Sequence, residues 1–451
     1  MSQVKLFSSS GGARVAKRSG RQKKQKVKKP LKTLAIWLLV ILCLEGLYFF
    51  CVYTNNAFVK KWRTIYINTA MDTMRHQWLA TYFIPKDVID EVRYEYGLVK
   101  AGTVGKESTW GRTDPVPADQ TPSTSDDNIV TLDPNVTHET DQPDAEELTQ
   151  EELEKQAEEN FYSVFWELDR TSMETYLAEH PDTLANGWEH IYINEAGFDD
   201  EGTSIQSTFG EQVLAIDAYN GVLLLRISGK GYRGVLAVGK DPSRLSIEMA
   251  TTLGTAGQLS GTIAEAHNGV LAMNANGFLD PNGAGNGGLL AGYTMSNGTA
   301  YGDHFSAYAY KRIELHEDNL FYIKDALSPV SEDCTDAAEF TPALIVDGKK
   351  IMDDYWTGEQ PRACIGQSEN YEILMLVIEG RYPLEGILGT SVNNCSEILL
   401  QHKCMQAINL DGGSSAMLWF DGEYVTQSSS SPLRYTGGRP LPNAWVYKKA
   451  E

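Results

Sequence analysis

The pattern of apolar and polar positions changes character several times along the chain. Leu34–Tyr53 reads LAIWLLVILCLEGLYFFCVY, an apolar run of 20 residues interrupted by one charge, Glu45. About 20 such residues are what a helix needs to cross a bilayer. Trp37 near one end and Tyr48 and Tyr53 toward the other suit the two interfaces. Residues 54–100 carry apolar side chains at mixed spacing (Phe58, Trp62, Ile65, Ile67, Met71, Met74, Trp78, Leu79). They predict a juxtamembrane helical segment that lies on the membrane face or packs on the body. Residues 101–150 have almost no clustered apolar positions. In residues 151–186 Phe161, Val164, Phe165, Leu168, Met173 and Leu177 recur near helical spacing and predict a helical lead-in.

From Gly187 the pattern becomes short apolar runs divided by Gly, Asn and Asp: Val213–Ile216, Gly221–Ile227, Val235–Val238, Val270–Met273, Ala343–Val346 and Ile373–Ile378. Asp347-Gly348 and Asp421-Gly422 lie between strand-like runs, the signature of tight hairpins. Helices are expected only near Glu248–Leu253 and Asn394–His402. Residues 187–451 therefore read as an α+β domain with β-rich mixed sheets and few helices. A basic arm (1–33), a transmembrane helix (34–53) and an acidic linker (101–150) come before it.

Charge sets the orientation. Residues 1–32 hold eleven Lys/Arg and no acid, whereas the whole chain of 451 residues carries a net charge of -21. Cations stay on the cytoplasmic side of a span, so the predicted topology is a single pass with the large domain outside the cytoplasm. A cleaved signal would have a shorter apolar core ending in small residues, and these are missing. Glu45 is expected to be protonated in lipid. The acidic body argues against a nucleic-acid partner. Residues 101–150 contain five Pro, nine Thr and eleven acids against two bases, too little apolar surface to fold, so a solvated spacer is expected. Disulfides are permitted outside the cytoplasm. Yet Cys395 and Cys404 at the ends of one helix would be about 13.5 Å apart, too far to bridge. Cys334, Cys364, Cys395 and Cys404 are read as mostly free, buried thiols.

Three segments carry candidate chemistry. In Met405–Phe420 an apolar run delivers Asn409 and Asp411 to a strand end, followed by Gly412, Gly413, Ser414 and Ser415. Paired glycines permit positive φ and close approach of backbone N–H groups to a ligand. In Leu271–Asp280, Asn274 and Asn276 end a buried strand before a glycine-rich loop. Asp280 and Asn282 are spaced as in a calcium loop, but Ala284 replaces a ligand and no Glu closes it. No cofactor is therefore expected, with a divalent metal left open. Finally, Arg362 and Arg381 bracket the buried run Ile373–Ile378, and Arg pairs can grip phosphate through bidentate hydrogen bonds.

Taken in order, Asn274…Gly277-Phe278, Pro361-Arg362…Ile365-Gly366, Gly380-Arg381 and Asn409-Leu-Asp-Gly-Gly-Ser-Ser415 resemble the phosphodiester glycosidase family over roughly residues 187–451. Asp241-Pro-Ser-Arg244 and Arg439-Pro-Leu-Pro-Asn443 fit the same pattern. Glu379 stands where the family more often has Asp, and Gly386–Val392 lacks the usual approach to the following helix. Bacterial members are often associated with exopolysaccharide and cell-envelope assembly. The resemblance implies hydrolysis of a sugar-1-phosphate diester to free sugar and phosphomonoester. It implies Asp411 as the catalytic carboxylate, and Arg362 and Arg381 with the N–H groups of Gly412, Gly413 and Ser414 as the phosphate clamp. Asn274, Asn276 and Asn409 would bind the sugar, and His304 would act as an acid or phosphate contact. The expected partner is a phosphorylated glycan. The alternative is a non-catalytic, membrane-tethered glycan-binding protein of envelope assembly.

Overall fold

The computed structural model describes residues 29–73, 76–110, 149–197, 200–281, 285–306, 309–351, 358–429 and 438–451. Most of the stretch read as a spacer, and Asn282 and Ala284 of the glycine-rich loop, lie outside these residues. The chain forms two compact units, residues 1–60 and 61–451. The first contains helix α1 (Lys29–Tyr53), of which Lys32–Tyr53 has mean hydropathy 2.4 and is long and apolar enough to cross a membrane. Its leucines and aromatics project outward.

The second unit begins within helix α2 (Ala57–Met71) and continues through α3 (Trp78–Thr81) and α4 (Lys86–Ala101). Arg93 of α4 reaches Asp72 at 2.6 Å and Asn68 at 3.0 Å, joining α4 to the end of α2. Thr103–Trp110 falls in the stretch expected to be spacer, yet it docks on the β-domain. Ser108 N donates to Ile323 O, Ser108 Oγ to Gln406 Oε1, and Thr109 N and Oγ1 both donate to Asp347. These residues precede the proline- and acid-rich run, so nothing in their own composition prevents packing. Helices α5 (Gln150–Val164) and α6 (Arg170–Glu179) follow. A capping box formed by Thr149 and Glu152 starts α5, and the Asp169 cap starts α6. Phe161, Phe165, Met173 and Leu177 bury the apolar face of this pair in the main core.

Three large antiparallel sheets make up the β-domain. The largest runs, in spatial order, Tyr192–Asn194, Gln212–Asp217, Val222–Gly229, Tyr232–Gly239, Ile373–Ile378, Arg362–Ser368, Cys404–Asn409, Ala343–Val346 and Lys349–Lys350. The second runs Thr299–Tyr301, Thr294–Ser296, Cys334–Phe340, Lys311–His316 and Phe321–Asp325. The third runs Glu423–Tyr424, Leu418–Phe420, Gly269–Asn274, Asn443–Lys448 and Leu245–Met249. The α+β class stands, and the ladders between described strands are all antiparallel rather than mixed. Ile373–Ile378 is buried on both faces, which explains why it is a continuous apolar run and not an alternating one. Both Asp-Gly pairs make their hairpins with positive φ, 49° and 70° at Asp347-Gly348 and 40° and 100° at Asp421-Gly422.

One expected helix is absent. Leu245–Met249 is a strand paired with Asn443–Lys448, and turns follow it. Glu248 ties across this pair to Lys448 at 2.9 Å, a contact no local pattern announces. Instead α7 (Ser260–Ala266) forms, seven residues long, too short to show a helical period. The other expected helix is α8 (Val392–Gln401), capped by Ser391 and packed on Cys404–Asn409. The four cysteines of the domain are buried free thiols.

Candidate active site

The site forms where strands of two sheets end side by side. Cys404–Asn409 of the nine-stranded sheet pairs with Arg362–Ser368, placing Asn409 opposite Cys364. The backbone past Asn409 stays attached, with Leu410 N donating to Ala363 O and Gly413 N to Pro361 O. From the neighbouring sheet, the Asn274 amide donates to Asp411 O at 2.7 Å. Asn274 thus staples the end of Gly269–Asn274 to the Asp411 loop. Its Oδ1 is buried with no hydrogen-bond partner, an acceptor left over inside the site.

The two glycines have separate reasons to be there. A Cβ on Gly412 would come within 2.6 Å of Pro361 O. Gly413 takes φ +61°, and a Cβ there would stand 3.0 Å from Arg381 Nη1. That second approach places the Arg381 guanidinium directly on the loop. Arg381 itself has φ 67°, an uncommon conformation for a bulky residue and one that aims its side chain back at the loop.

Asp411 is held above the usual carboxylate range, at about 6. Crowding by protein atoms is the main cause, and the nearby Asp280 carboxylate adds to it. Hydrogen bonds from the Ser415 side chain and Gly412 N and the charge of Arg439 oppose the shift. Arg439 reaches the site through an ion pair with Asp280, a bond to Gly285 O at 3.0 Å, and stacking 4.6 Å above the Phe278 ring. Tyr310 also faces Asp411, and both burial and that carboxylate push its phenol upward. For Arg381, burial and the neighbouring Arg362 destabilise the cation while Asp411 favours it. The site therefore sets one ionisable, part-exposed carboxylate against arginines.

The residues singled out in the sequence divide into two groups. Asp411, Arg381, Arg362, Asn274, Gly412, Gly413 and Ser414 come together. Arg362 is 8% exposed; its Nε donates to Thr390 O at 3.0 Å and its Nη2 to Gly358 O at 2.9 Å. Much of its fork is thus bound to backbone. Gly413 N–H bonds Pro361 O and Gly412 N–H turns to Asp411, so both donors are engaged within the protein. Asn276 is fully buried and its amide is engaged by Asn443 and Tyr293 O. Its amide is spent on the scaffold between Asn443 and Tyr293. Asn409 donates to Thr341 O at 2.9 Å and is 3% exposed, with the same consequence. Glu379 lies away from the loop and is held by Arg233 at 2.7 Å and Gln427 N at 2.8 Å.

His304 sits beside the pocket, stacked on Tyr293 at 4.3 Å, its Nδ1 2.5 Å from the buried Glu339 carboxylate. The adjoining Phe305 stacks on Tyr310 at 3.9 Å, which connects His304 to the surroundings of Asp411. The carboxylate of Asp280, spaced in sequence like a calcium ligand, holds Arg439 and Gly285 N. Among the described residues no group of three His, Cys, Asp or Glu is placed to hold a metal. Sequence reasoning missed Ser415, Tyr310 and the Asp280–Arg439 pair as site residues. Ser415 carried a signal as the end of the Asn409–Ser415 motif, Asp280 as part of the glycine-rich loop and Arg439 through Arg439-Pro-Leu-Pro-Asn443; Tyr310 carried none.

Comparison with known proteins bears on this arrangement directly. Residues 267–448 match the phosphodiester glycosidase family. That stretch spans Asn274, Arg362, Arg381, Asp411 and Arg439. No curated protein sequence matches the chain. Among solved structures, the zebrafish N-acetylglucosamine-1-phosphodiester alpha-N-acetylglucosaminidase catalytic domain, auto-inhibited by its pro-peptide, is 14% identical with a TM-score of 0.42, over 51% of this chain and 82% of that one. A Synechocystis protein is 15% identical with a TM-score of 0.36, over 54% and 65%. A Burkholderia pseudomallei protein named as exported is 13% identical with a TM-score of 0.35, over 48% and 74%.

Proposed function

We propose that the chain is a membrane-anchored phosphodiester glycosidase that hydrolyses a sugar-1-phosphate diester of a glycan or envelope polymer outside the cytoplasm. The observation that carries this reading is Asp411, a carboxylate raised to about 6 and flanked by Arg381 and Arg439 in a phosphodiester glycosidase-family domain. A base works best when its pKa lies near the working pH.

Asp411 takes a proton from water as the water oxygen bonds to the anomeric carbon. The bond between that carbon and the phosphate oxygen breaks, and its electron pair leaves with the phosphate. The products are free sugar and a phosphomonoester. Phosphate is a good leaving group, so the larger demand is stabilisation of developing negative charge. Arg381, packed against Gly413, meets it, with Arg362 as its neighbouring cation. Asn274 holds the loop through its amide bond to Asp411 O. His304, held by Glu339 and joined through Phe305 to Tyr310 beside Asp411, is the donor assigned to the departing phosphate. Helix α1 and the eleven cations of residues 1–32 support a cytoplasmic N-terminus and an external catalytic domain.

Turnover of an activated glycosyl phosphodiester by the detergent-solubilised full chain tests the reading. Asp411→Asn should lower the rate by about three orders of magnitude, since each ~1.36 kcal/mol of lost transition-state stabilisation is tenfold. A fully active Asp411→Asn removes Asp411 from the mechanism.

A further inference from the structure

Helices α2 and α3 bury one side and present aromatic rings on the other. Ile65, Ile67 and Ala70 of α2 and Ala80 of α3 are buried. The end of α2 docks on the β-domain. Thr69 Oγ1 accepts from Glu359 N at 3.1 Å, and Gly358, packed on Thr69, supplies the carbonyl that Arg362 Nη2 holds. Arg93 of α4 is tied to the same end of α2 through Asp72. Trp62 and Tyr66 are exposed, and their spacing puts them on one face of α2. Tyr66 Oη donates to Leu79 O at 2.6 Å, which brings α3 alongside that face. There Trp78 and Tyr82 meet edge to face with ring centres 6.4 Å apart, and Phe83 is next in the chain. All three are exposed, Tyr82 by 81%.

Single apolar side chains at a surface are ordinary, whereas a continuous group of large aromatics marks an interaction site. The type of these residues and their place in the chain identify the partner. Trp and Tyr join an apolar ring to one polar group, the chemistry that settles among lipid headgroups at the edge of the hydrocarbon. Only Thr54–Asn56 separate α1 from α2. Three residues span at most about 11 Å, so α2 starts within reach of the bilayer surface where α1 ends.

We infer that Trp62, Tyr66, Trp78, Tyr82 and Phe83 form a lipid-facing surface that seats the catalytic domain on the outer face of the membrane. Through Thr69 and Gly358 the same helix braces the segment that holds Arg362. The inference rests on the reading of α1 as a membrane span and is independent of the chemistry at Asp411.

The test places the photocrosslinker p-benzoylphenylalanine singly in place of Tyr82, of Leu42 in the span, or of Tyr219 on the β-domain. All three side chains are exposed. Each full chain is reconstituted in phosphatidylcholine–phosphatidylglycerol vesicles and irradiated, and lipid adducts on the labelled peptide are measured by mass spectrometry. The yield at position 82 should lie within about threefold of that at 42 and about tenfold or more above that at 219. Adducts at 42 with no more at 82 than at 219 overturn the lipid-facing surface and leave the span intact. Crosslinking at 82 to a second copy of the chain in place of lipid overturns it equally. A chain without adducts at 42 overturns the span, and the inference with it.

Discussion

At the residue scale the consequential group is Asp411, because its protonation pulls stability and activity in opposite directions. A carboxyl at about 6 in the folded state and near ~3.9 when unfolded binds more protons folded than unfolded between those values. Its contribution to stability is complete below the unfolded value and is lost as pH rises through about 6. Turnover should instead rise with pH across the same interval, as the base forms. Asp411→Asn should therefore abolish the ascending limb of the pH–rate profile. It should also raise the melting temperature at pH 7 relative to wild type, by the equivalent of about 1–3 kcal/mol. Equal or lower stability of the Asn variant at pH 7 would mean that the carboxylate is better solvated than the pocket indicates. Asp411 was legible because a strand-end acid followed by paired Gly and paired Ser is a local pattern. Asn276 and Asn409 show the limit of such a pattern. The same polar residue at a strand end serves as a ligand contact or as a buried brace, and only its tertiary partners, Asn443 and Thr341 O, decide which.

At the element scale the site depends on how the Asp411 loop meets the segment around Arg381. Gly413→Ala places a Cβ at φ +61° and 3.0 Å from Arg381 Nη1. The left-handed conformation costs about 1–2 kcal/mol, and the arginine must move. The expected result is a KM raised roughly tenfold with a smaller loss of kcat; an unchanged KM would place the phosphate away from Arg381. Glu379→Gln makes a contrasting case. Its two oxygens, 5% exposed, accept from Arg233 and Gln427 N, so a Gln NH2 must face one of these donors and the substitution should cost about 1–3 kcal/mol of stability with KM unchanged. The hairpins at Asp347-Gly348 and Asp421-Gly422 and the run Ile373–Ile378 could be read in advance, since turn chemistry and continuous apolarity are local signals. Leu245–Met249 could not, because its strand form is set by pairing with Asn443–Lys448, nearly 200 positions on. Such a pairing leaves no trace in the window that suggested a helix.

At the scale of the whole molecule, a basic arm, an apolar helix and an acidic body are consistent with one topology. In intact cells, protease applied outside should cut after Trp110 and before Thr149 and yield a β-domain fragment on a denaturing gel, while Thr103–Trp110 is hydrogen-bonded into the body and escapes cleavage. Protection of the whole chain would place the domain inside. The central claim is that this domain breaks the bond between sugar carbon and phosphate oxygen. The direct measurement is hydrolysis of a glycosyl phosphodiester by the full chain in oxygen-18 water, with the isotope located in the products by mass spectrometry and phosphorus NMR. The account predicts phosphomonoester free of the isotope and one labelled oxygen on the anomeric carbon of the released sugar, with neither product formed by Asp411→Asn. The label in the phosphate would show attack at phosphorus, and no turnover of any such diester would leave a pocket that binds without cleaving; either result contradicts the account.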